Sequence, residues 1–493
     1  MTDNDGQVFS LRQVATFGDV AAEEDSVLDY FLTTDAVQRI EDNEAFLVLG
    51  RKGSGKTALV RYFTEGRPTV LSKALNLKNY PWNIHGKRID NGASEIEAYV
   101  SSWRYLIAVE LAALVLSETD RPQFTEVIQL KQFMTDNYGG VDPNLADVLR
   151  PKRLKLSKLS FMPRIFGNTL GGIDLDRAAN DGELGLELNA LSDALLKSIQ
   201  AIASNEELGP LVLHFDELDQ GLSRLDETRS RMLIGLILAA RGIRTEMKKG
   251  PVEVNPVVYL RTDIWNELQF SDKNKIDQGQ SIKIEWSPDN LLELVNLRIS
   301  AKLGEGASWD KVSTDNLMRG SQSKWKHILS KGFLRPRDTI RFLNAALVHC
   351  KKRDDEPCIF DNQDILDARE EYSNYLKNEL DDEILPHWQY WEEALQACSR
   401  INTISFDRSQ FVTLYNEIKS EENTVNDADA LKLLYRFSVI GCERRYGSGG
   451  RSWAFQYKDQ EAGYDSGVSK LKVHLGLKEF AKLVEERNAP NRS

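Results

Sequence analysis

Residues 45–63 read Ala-Phe-Leu-Val-Leu-Gly-Arg-Lys-Gly-Ser-Gly-Lys-Thr-Ala-Leu-Val-Arg-Tyr-Phe. An apolar run, a glycine-rich turn and a helix opening with apolar spacing follow one another there, and residues 50–57 fit G-x-x-x-x-G-K-[ST] with no mismatch. This order confines the chain to α/β folds in which a buried parallel strand, Ala45 to Leu49, hands a loop to a helix N-terminus. The amides of Gly50, Arg51, Lys52, Gly53, Ser54 and Gly55 are expected to point inward at an anion, with the helix dipole adding to their field. The three glycines allow backbone angles and close approaches that a Cβ would block. Lys56 is then expected to reach the β- and γ-phosphates of a nucleotide, and the Thr57 hydroxyl to ligate Mg²⁺. A chance glycine-rich turn before a surface helix would leave the flanking strand and helix unexplained.

Mg²⁺ held by one hydroxyl and phosphates alone is under-coordinated, so an acidic partner is expected at the end of a neighbouring strand. Pro210-Leu-Val-Leu-His-Phe-Asp-Glu-Leu-Asp-Gln220 supplies it, with Leu211 to Phe215 apolar and ending in Asp216 and Glu217. Asp216 is assigned to Mg²⁺, directly or through water, and Glu217 to orienting and deprotonating the attacking water. A glutamate directly after the aspartate favours hydrolysis over binding alone. His214 in mid-strand reads as a packed histidine, and Asp219 as a cap for the next helix. A third strand, Asn255 to Leu260, ends in Arg261-Thr262-Asp263, and its C-terminal edge is expected beside the first two. Arg261 and Asp263 compete there for contact with the γ-phosphate or the water; the alternative is a local ion pair.

A fourth strand, Ser281 to Trp286, leads into Ser287-Pro288-Asp289, a helix-start signal, and a helix over Leu291 to Ile299. Further on, Gly332-Phe-Leu-Arg-Pro-Arg-Asp338 puts Arg335 and Arg337 beside a proline at another helix start. Arginine opposes the dipole at that end of a helix. The cost suggests phosphate clamping from a lid, against a surface arginine paired with Asp338.

Taken in order, these segments resemble the AAA+ class of P-loop ATPases, and within it bacterial signalling and defence-associated ATPases of the KAP and STAND type. The likeness is carried by Gly50 to Thr57, His214 to Asp219, Tyr259 to Asp263 and Gly332 to Arg341. It implies an α/β parallel sheet with a helical lid, MgATP as ligand, and work as a homo-oligomer or nucleotide switch. Beyond the ATPase residues the sequence shows no His/Cys/Asp cluster with catalytic spacing, so any effector is expected on a separate protein. The resemblance makes Arg337 the first candidate for a sensor arginine and Arg335 the second. It also implies an arginine finger from a neighbouring subunit, for which Arg224, Arg229, Arg241 and Arg244 lie in the right region. One departure is the roughly 150 residues between the loop and Asp216, more than a minimal nucleotide core needs.

The chain is accordingly divided into an N-terminal segment (1–24), an ATPase core (25–286) with a large insert (64–208), a lid (287–352), a helical linker (353–400), a winged-helix-like module (401–484) and a tail (485–493). In the insert, Ile96 to Ser117 reads as helix, and 150–164 is basic without an acidic residue. That stretch is either a contact for nucleic acid or an acidic partner, or a solvated edge strand whose lysines discourage pairing. Past Asn402, helices at Phe411 to Ile418 and Ala428 to Ile440 precede Gly447-Ser-Gly-Gly450 and alternating Trp453, Phe455 and Tyr457. Two helices and a hairpin resemble a winged helix-turn-helix. Arg444, Arg445 and Arg451 on the wing (443–457) could meet DNA or RNA phosphates, or the wing could bind protein. With 63 Lys and Arg against 75 Asp and Glu, the net charge of −12 leans against broad nucleic-acid binding.

The acidic, polar start lacks a secretory pattern, and Leu106 to Leu116 is too short to span a bilayer. No membrane association and a cytoplasmic location are expected. The four cysteines show neither metal-ligand spacing nor disulfide density, and read as scattered reduced thiols. Two further readings stay open: an ATP-dependent DNA-binding protein like initiator-type ATPases with winged helices, and a nucleotide-dependent scaffold without turnover.

Overall fold

The computed structural model describes residues 8–19, 21–67, 70–78, 96–119, 122–149, 153–155, 164–165, 168–169, 172–174, 183–218, 226–445, 451–459 and 463–485. They divide into two compact units. A sheet unit holds Thr33–Arg51 and Lys56–Ile284, and a helical unit holds Met1–Leu32, Lys52–Gly55 and Glu285–Ser493.

In chain order the strands of the sheet unit are β1 (Leu47–Gly50), β2 (Leu71–Asn76), β3 (Arg153–Lys155), β4 (Arg164–Ile165), β5 (Asn168–Thr169), β6 (Gly172–Asp174), β7 (Leu211–Asp216), β8 (Val254–Arg261) and β9 (Ser281–Lys283). Five of them form a parallel sheet in the order β2-β7-β8-β1-β9. β1, β7 and β8 are buried along their whole length, as strands covered on both faces must be, and this is why they read as largely apolar runs. The α/β P-loop fold expected from the sequence is therefore present.

The helices of this unit are α1 (Asp35–Glu41), α2 (Lys56–Glu65), α3 (Ile96–Ser117), α4 (Thr125–Tyr138), α5 (Leu145–Leu149), α6 (Glu183–Asn205), α7 (Glu227–Met247), α8 (Thr262–Glu267) and α9 (Lys273–Gly279). α3 is apolar nearly all round and packs against α6 and α7 in the core. By length and composition alone it could cross a membrane, but most of its surface is buried inside this unit. Its buried Glu110 meets Lys73 at 2.9 Å; burial pushes that carboxyl up, and the ammonium works against the shift.

Residues 64–208 are not simply an insertion. Residues 71–76 form the edge strand β2, which sets Asn76 opposite Asp216 in the main sheet. The sequence hides this strand because its burial is partial and only Leu75 is fully enclosed. Within the basic stretch, Arg153–Lys155 pairs antiparallel with Gly172–Asp174, and Leu154 is buried. Residues 150–152 and 156–163 lie outside the described residues.

The helical unit contains α10 (Pro288–Leu303), α11 (Lys324–Lys331), α12 (Pro336–Lys352), α13 (Asn362–Ile384), α14 (Trp391–Ile401), α15 (Arg408–Ile418) and α16 (Asp427–Arg436). Its strands β10 (Ser405–Asp407), β11 (Ile440–Arg445), β12 (Arg451–Ala454) and β13 (Lys470–Val473) form an antiparallel sheet in the order β10-β13-β11-β12. α15 and α16 thus precede the β11–β12 hairpin, as the residue pattern predicts; the Gly-Ser-Gly-Gly tip lies outside the described residues. α10 starts with Pro288 after the Ser287 cap, and its Leu291, Leu294, Val295 and Ile299 face the core. The N-terminal Phe9, Leu11, Val14 and Phe17 belong to the same core. Cys350 and Cys358, which read as scattered in sequence, have their Sγ atoms 3.2 Å apart; all four cysteines are free and buried.

Candidate functional site

β1 delivers the glycine-rich loop to the first turn of α2. Gly53 has φ +75° and Gly55 φ +102°, the left-handed region that glycine reaches without strain. The Ser54 hydroxyl oxygen is buried without a hydrogen-bond partner. Lys56 Nζ donates to the carbonyl oxygens of Gly50 at 3.0 Å and Arg51 at 3.2 Å, which holds the ammonium on the loop, and Thr57 is half-buried in the same turn.

The sequence reading sets the Asp216 strand beside the loop strand. The sheet order instead places β8 between them, so about 10 Å of sheet separates β1 from β7. Asp216 ends β7 and Glu217 follows; both side chains are largely buried. Glu217 carries φ +57°, a conformation that costs a non-glycine residue about 1–3 kcal/mol and that tends to be kept where it serves function. Asp219 and Arg224 lie outside the described residues.

Behind these carboxylates is a buried aromatic layer. His214 Nδ1 and the Tyr259 hydroxyl are 2.9 Å apart, and Phe63 of α2 stacks on the imidazole at 5.4 Å. The Asp216 charge adds to burial in pushing the Tyr259 phenol well above its usual range. His214 is the packed histidine its mid-strand position suggests, and Tyr259 is a neighbour of Asp216 that sequence patterning did not single out. Burial holds the imidazole neutral, with its pKa lowered to about 3. Below the ordinary histidine pKa of about 6.5 the unfolded chain takes up a proton that the folded one refuses, so stability falls as pH falls. We expect this to cost about 1.4 kcal/mol per pH unit between pH 6 and 4. His214→Phe should remove that part of the slope in denaturation curves measured across the window; an unchanged slope would contradict it.

Arg261 and Asp263 form the local ion pair that was one of the two expectations for them. Nε donates to Oδ1 at 3.0 Å and Nη2 to Oδ2 at 2.6 Å. Of the finger candidates, Arg244 is buried on Asn43 and Arg241 bonds Gln280 and Asp272, whereas Arg229 sits in the first turn of α7. Burial removes Arg244 from any role toward a neighbouring subunit. Among the described residues no group of three or more His, Cys, Asp or Glu could hold a metal by itself. A Mg²⁺ ion would need Thr57, Asp216, phosphate oxygens and water together, which suits its octahedral habit.

In the helical unit, the loop tip Lys52–Gly55 is gripped from several sides. The Trp286 indole N–H donates to the Ser54 carbonyl at 2.8 Å. Arg335, expected as a second phosphate-binding arginine, is committed elsewhere. Nε and Nη2 donate to the two Asp338 oxygens at 2.9 and 3.0 Å, and Nη1 donates to Glu383 at 2.6 Å and the Lys52 carbonyl at 2.8 Å. Four of its five N–H groups are used and 2% of its surface is exposed, so it braces the loop and has little left for a ligand. Arg337 lies along Gly53, where an added Cβ would come within 2.8 Å of the Arg337 Cβ. Glu379, Asp382 and Glu383 of α13, which bind these cations, were missed because nothing local to 379–383 points to a loop more than 300 residues away.

On the hairpin, Arg444 pairs with Asp459 at 3.2 Å and Arg451 with Glu443 at 3.3 Å. Arg451 is exposed and Arg444 half-buried; ion pairs at the surface are worth about 0–1 kcal/mol.

Residues 289–381 match the family described as FunZ-associated C-terminal helical domain. The chain is 21% identical over 505 residues to the putative transposon gamma-delta 80.3 kDa protein of Escherichia coli K12, covering 94% of this chain and 66% of that protein. It therefore spans just under two thirds of that relative. Among solved structures, the Aeropyrum pernix ORC1 protein in complex with DNA overlays at a TM-score of 0.38 with 12% identity, covering 92% of this chain and 94% of that one. Cdc6p from Pyrobaculum aerophilum overlays at 0.30 with 12% identity, covering 93% and 96%.

Proposed function

We propose that the chain binds MgATP and hydrolyses it to ADP and phosphate as a P-loop ATPase of the AAA+ type, using the nucleotide state to control assembly or a partner. The observation that carries this reading is the loop itself, with Gly53 and Gly55 in left-handed conformations ahead of α2. Its support is Asp216 and Glu217 at the carboxyl end of a buried parallel strand.

In this reading the amides of Gly50 to Gly55 and the Lys56 ammonium hold the phosphates. Thr57 and Asp216 would hold Mg²⁺, which supplies charge neutralisation at the β- and γ-phosphates. Glu217 accepts the proton of the attacking water. Arg337 is the arginine left to sense the γ-phosphate, since four of the five Arg335 N–H groups are committed. The Arg261–Asp263 pair leaves Arg261 to act near the phosphate only as part of that pair.

The name of the E. coli relative ties that protein to a transposon. This suits a role in mobile-element biology or in defence against it, with an effector on a separate chain. The initiator-like alternative rests on the hairpin arginines Arg444 and Arg451: duplex DNA affinity should then fall steeply with salt and drop in Arg444→Ala/Arg451→Ala.

The test of the central reading is nucleotide binding. Lys56→Ala should weaken ATP binding by at least about a hundredfold in equilibrium dialysis with Mg²⁺, while the melting profile without nucleotide stays close to wild type. Equal binding by wild type and variant would remove the reading.

A further inference from the structure

Arg337 rests on the loop tip, its amide nitrogen 3.5 Å from the Gly53 carbonyl oxygen. Its Nη1 donates to Glu379 Oε2 at 3.1 Å. The same carboxylate oxygen stands 3.5 Å from Lys52 Nζ, which also meets Asp382 Oδ2 at 2.6 Å. The two acids differ in setting: the Glu379 side chain is 14% exposed and that of Asp382 67%. Solvent therefore screens Asp382, whereas Glu379 acts at close range on both cations flanking the tip.

A guanidinium recognises carboxylate and phosphate oxygens by the same fork of N–H donors, so the two anions are rivals for it. We propose that Glu379 is a positioning residue for the nucleotide: its carboxylate competes with the terminal phosphate for Arg337, and so narrows the preference of the loop for ATP over ADP. Glu379 acts through Arg337 and touches no reacting atom. The inference deepens the ATPase reading and rests on it. It also gives α13, most of which lies in the matched stretch 289–381, a direct part in reading the nucleotide.

The test is a titration of the full chain with fluorescent N-methylanthraniloyl analogues of ATP and ADP in Mg²⁺ buffer. Glu379→Gln keeps the shape and removes the charge. It should bind the ATP analogue roughly fivefold tighter and leave the ADP analogue within about twofold. Glu379→Asp, which restores the carboxylate, should return the ratio toward wild type. In an Arg337→Ala background Glu379→Gln should change nothing. Should Glu379→Gln melt early, Glu379→Ala provides the second charge-free variant. ATP binding that is unchanged or weaker without the charge overturns the inference, as does a gain that survives Arg337→Ala. A different failure belongs to the ATPase reading itself: no analogue binding by wild type, or binding that Lys56→Ala leaves intact, overturns both.

Discussion

Glu217→Gln should lose ATP hydrolysis by about 10²- to 10⁴-fold, the range a positioned general base contributes, and keep ATP binding. The substituted amide would retain the size of the native side chain and could still hold a water, but it cannot accept a proton from it. The backbone sharpens the prediction. Glu217 sits at φ +57° directly after a buried strand, so the fold accepts strain at this residue. Glu217→Gly should relieve that strain and raise the melting temperature while abolishing turnover, the trade expected where a strained conformation serves chemistry. Single-turnover hydrolysis at saturating MgATP, with binding measured in parallel, checks both variants. Turnover by Glu217→Gln at the wild-type rate would remove Glu217 from its role and favour a scaffold that binds without cleaving. If the loss is confirmed, light scattering on Glu217→Gln with and without ATP reports whether the trapped nucleotide drives assembly, as the AAA+ resemblance implies.

How much of this was legible in sequence depended on the range of the interactions. Ala45 to Thr57 could be read because strand, loop and helix follow one another and each part carries its own local signal. β7 and β8 were legible for a related reason, since strands covered on both faces are mostly apolar. β2 was not, because an edge strand can carry Ser72, Lys73 and Asn76 without apolar alternation and still pair. The order of strands was also beyond reach, as nothing in the residues of β8 says that it lies between β1 and β7. Arg335 and Arg337 illustrate the same limit at the site. Sequence marked both as arginines at an unfavourable helix end, but only the fold separates the one locked by Asp338 and Glu383 from the one laid along Gly53. The local pairing of Arg335 with Asp338 was among the expectations; its complete burial was not, because that depends on Glu383 nearly 50 residues later.

That burial sets the largest stability effect expected in the helical unit. Arg335, Asp338 and Glu383 are each almost wholly enclosed, and the guanidinium also donates to the Lys52 carbonyl. Arg335→Ala would leave two carboxylates in the interior without their counter-ion, a loss of about 3–5 kcal/mol. In a unit of this size that should lower the melting temperature by roughly 10 °C. Arg335→Lys should recover little, because one ammonium cannot serve both Asp338 oxygens, Glu383 and a carbonyl from a single point. Removing the charges together, as in Arg335→Met/Asp338→Asn/Glu383→Gln, should recover most of the loss, since an ion network costs much of its attraction in desolvation. Differential scanning calorimetry on the three variants separates these outcomes. A melting temperature for Arg335→Ala equal to that of wild type would mean that the network contributes nothing to the fold. An early melt for the triple variant, matching Arg335→Ala, would mean that the loss comes from the unanchored loop tip and not from the stranded carboxylates.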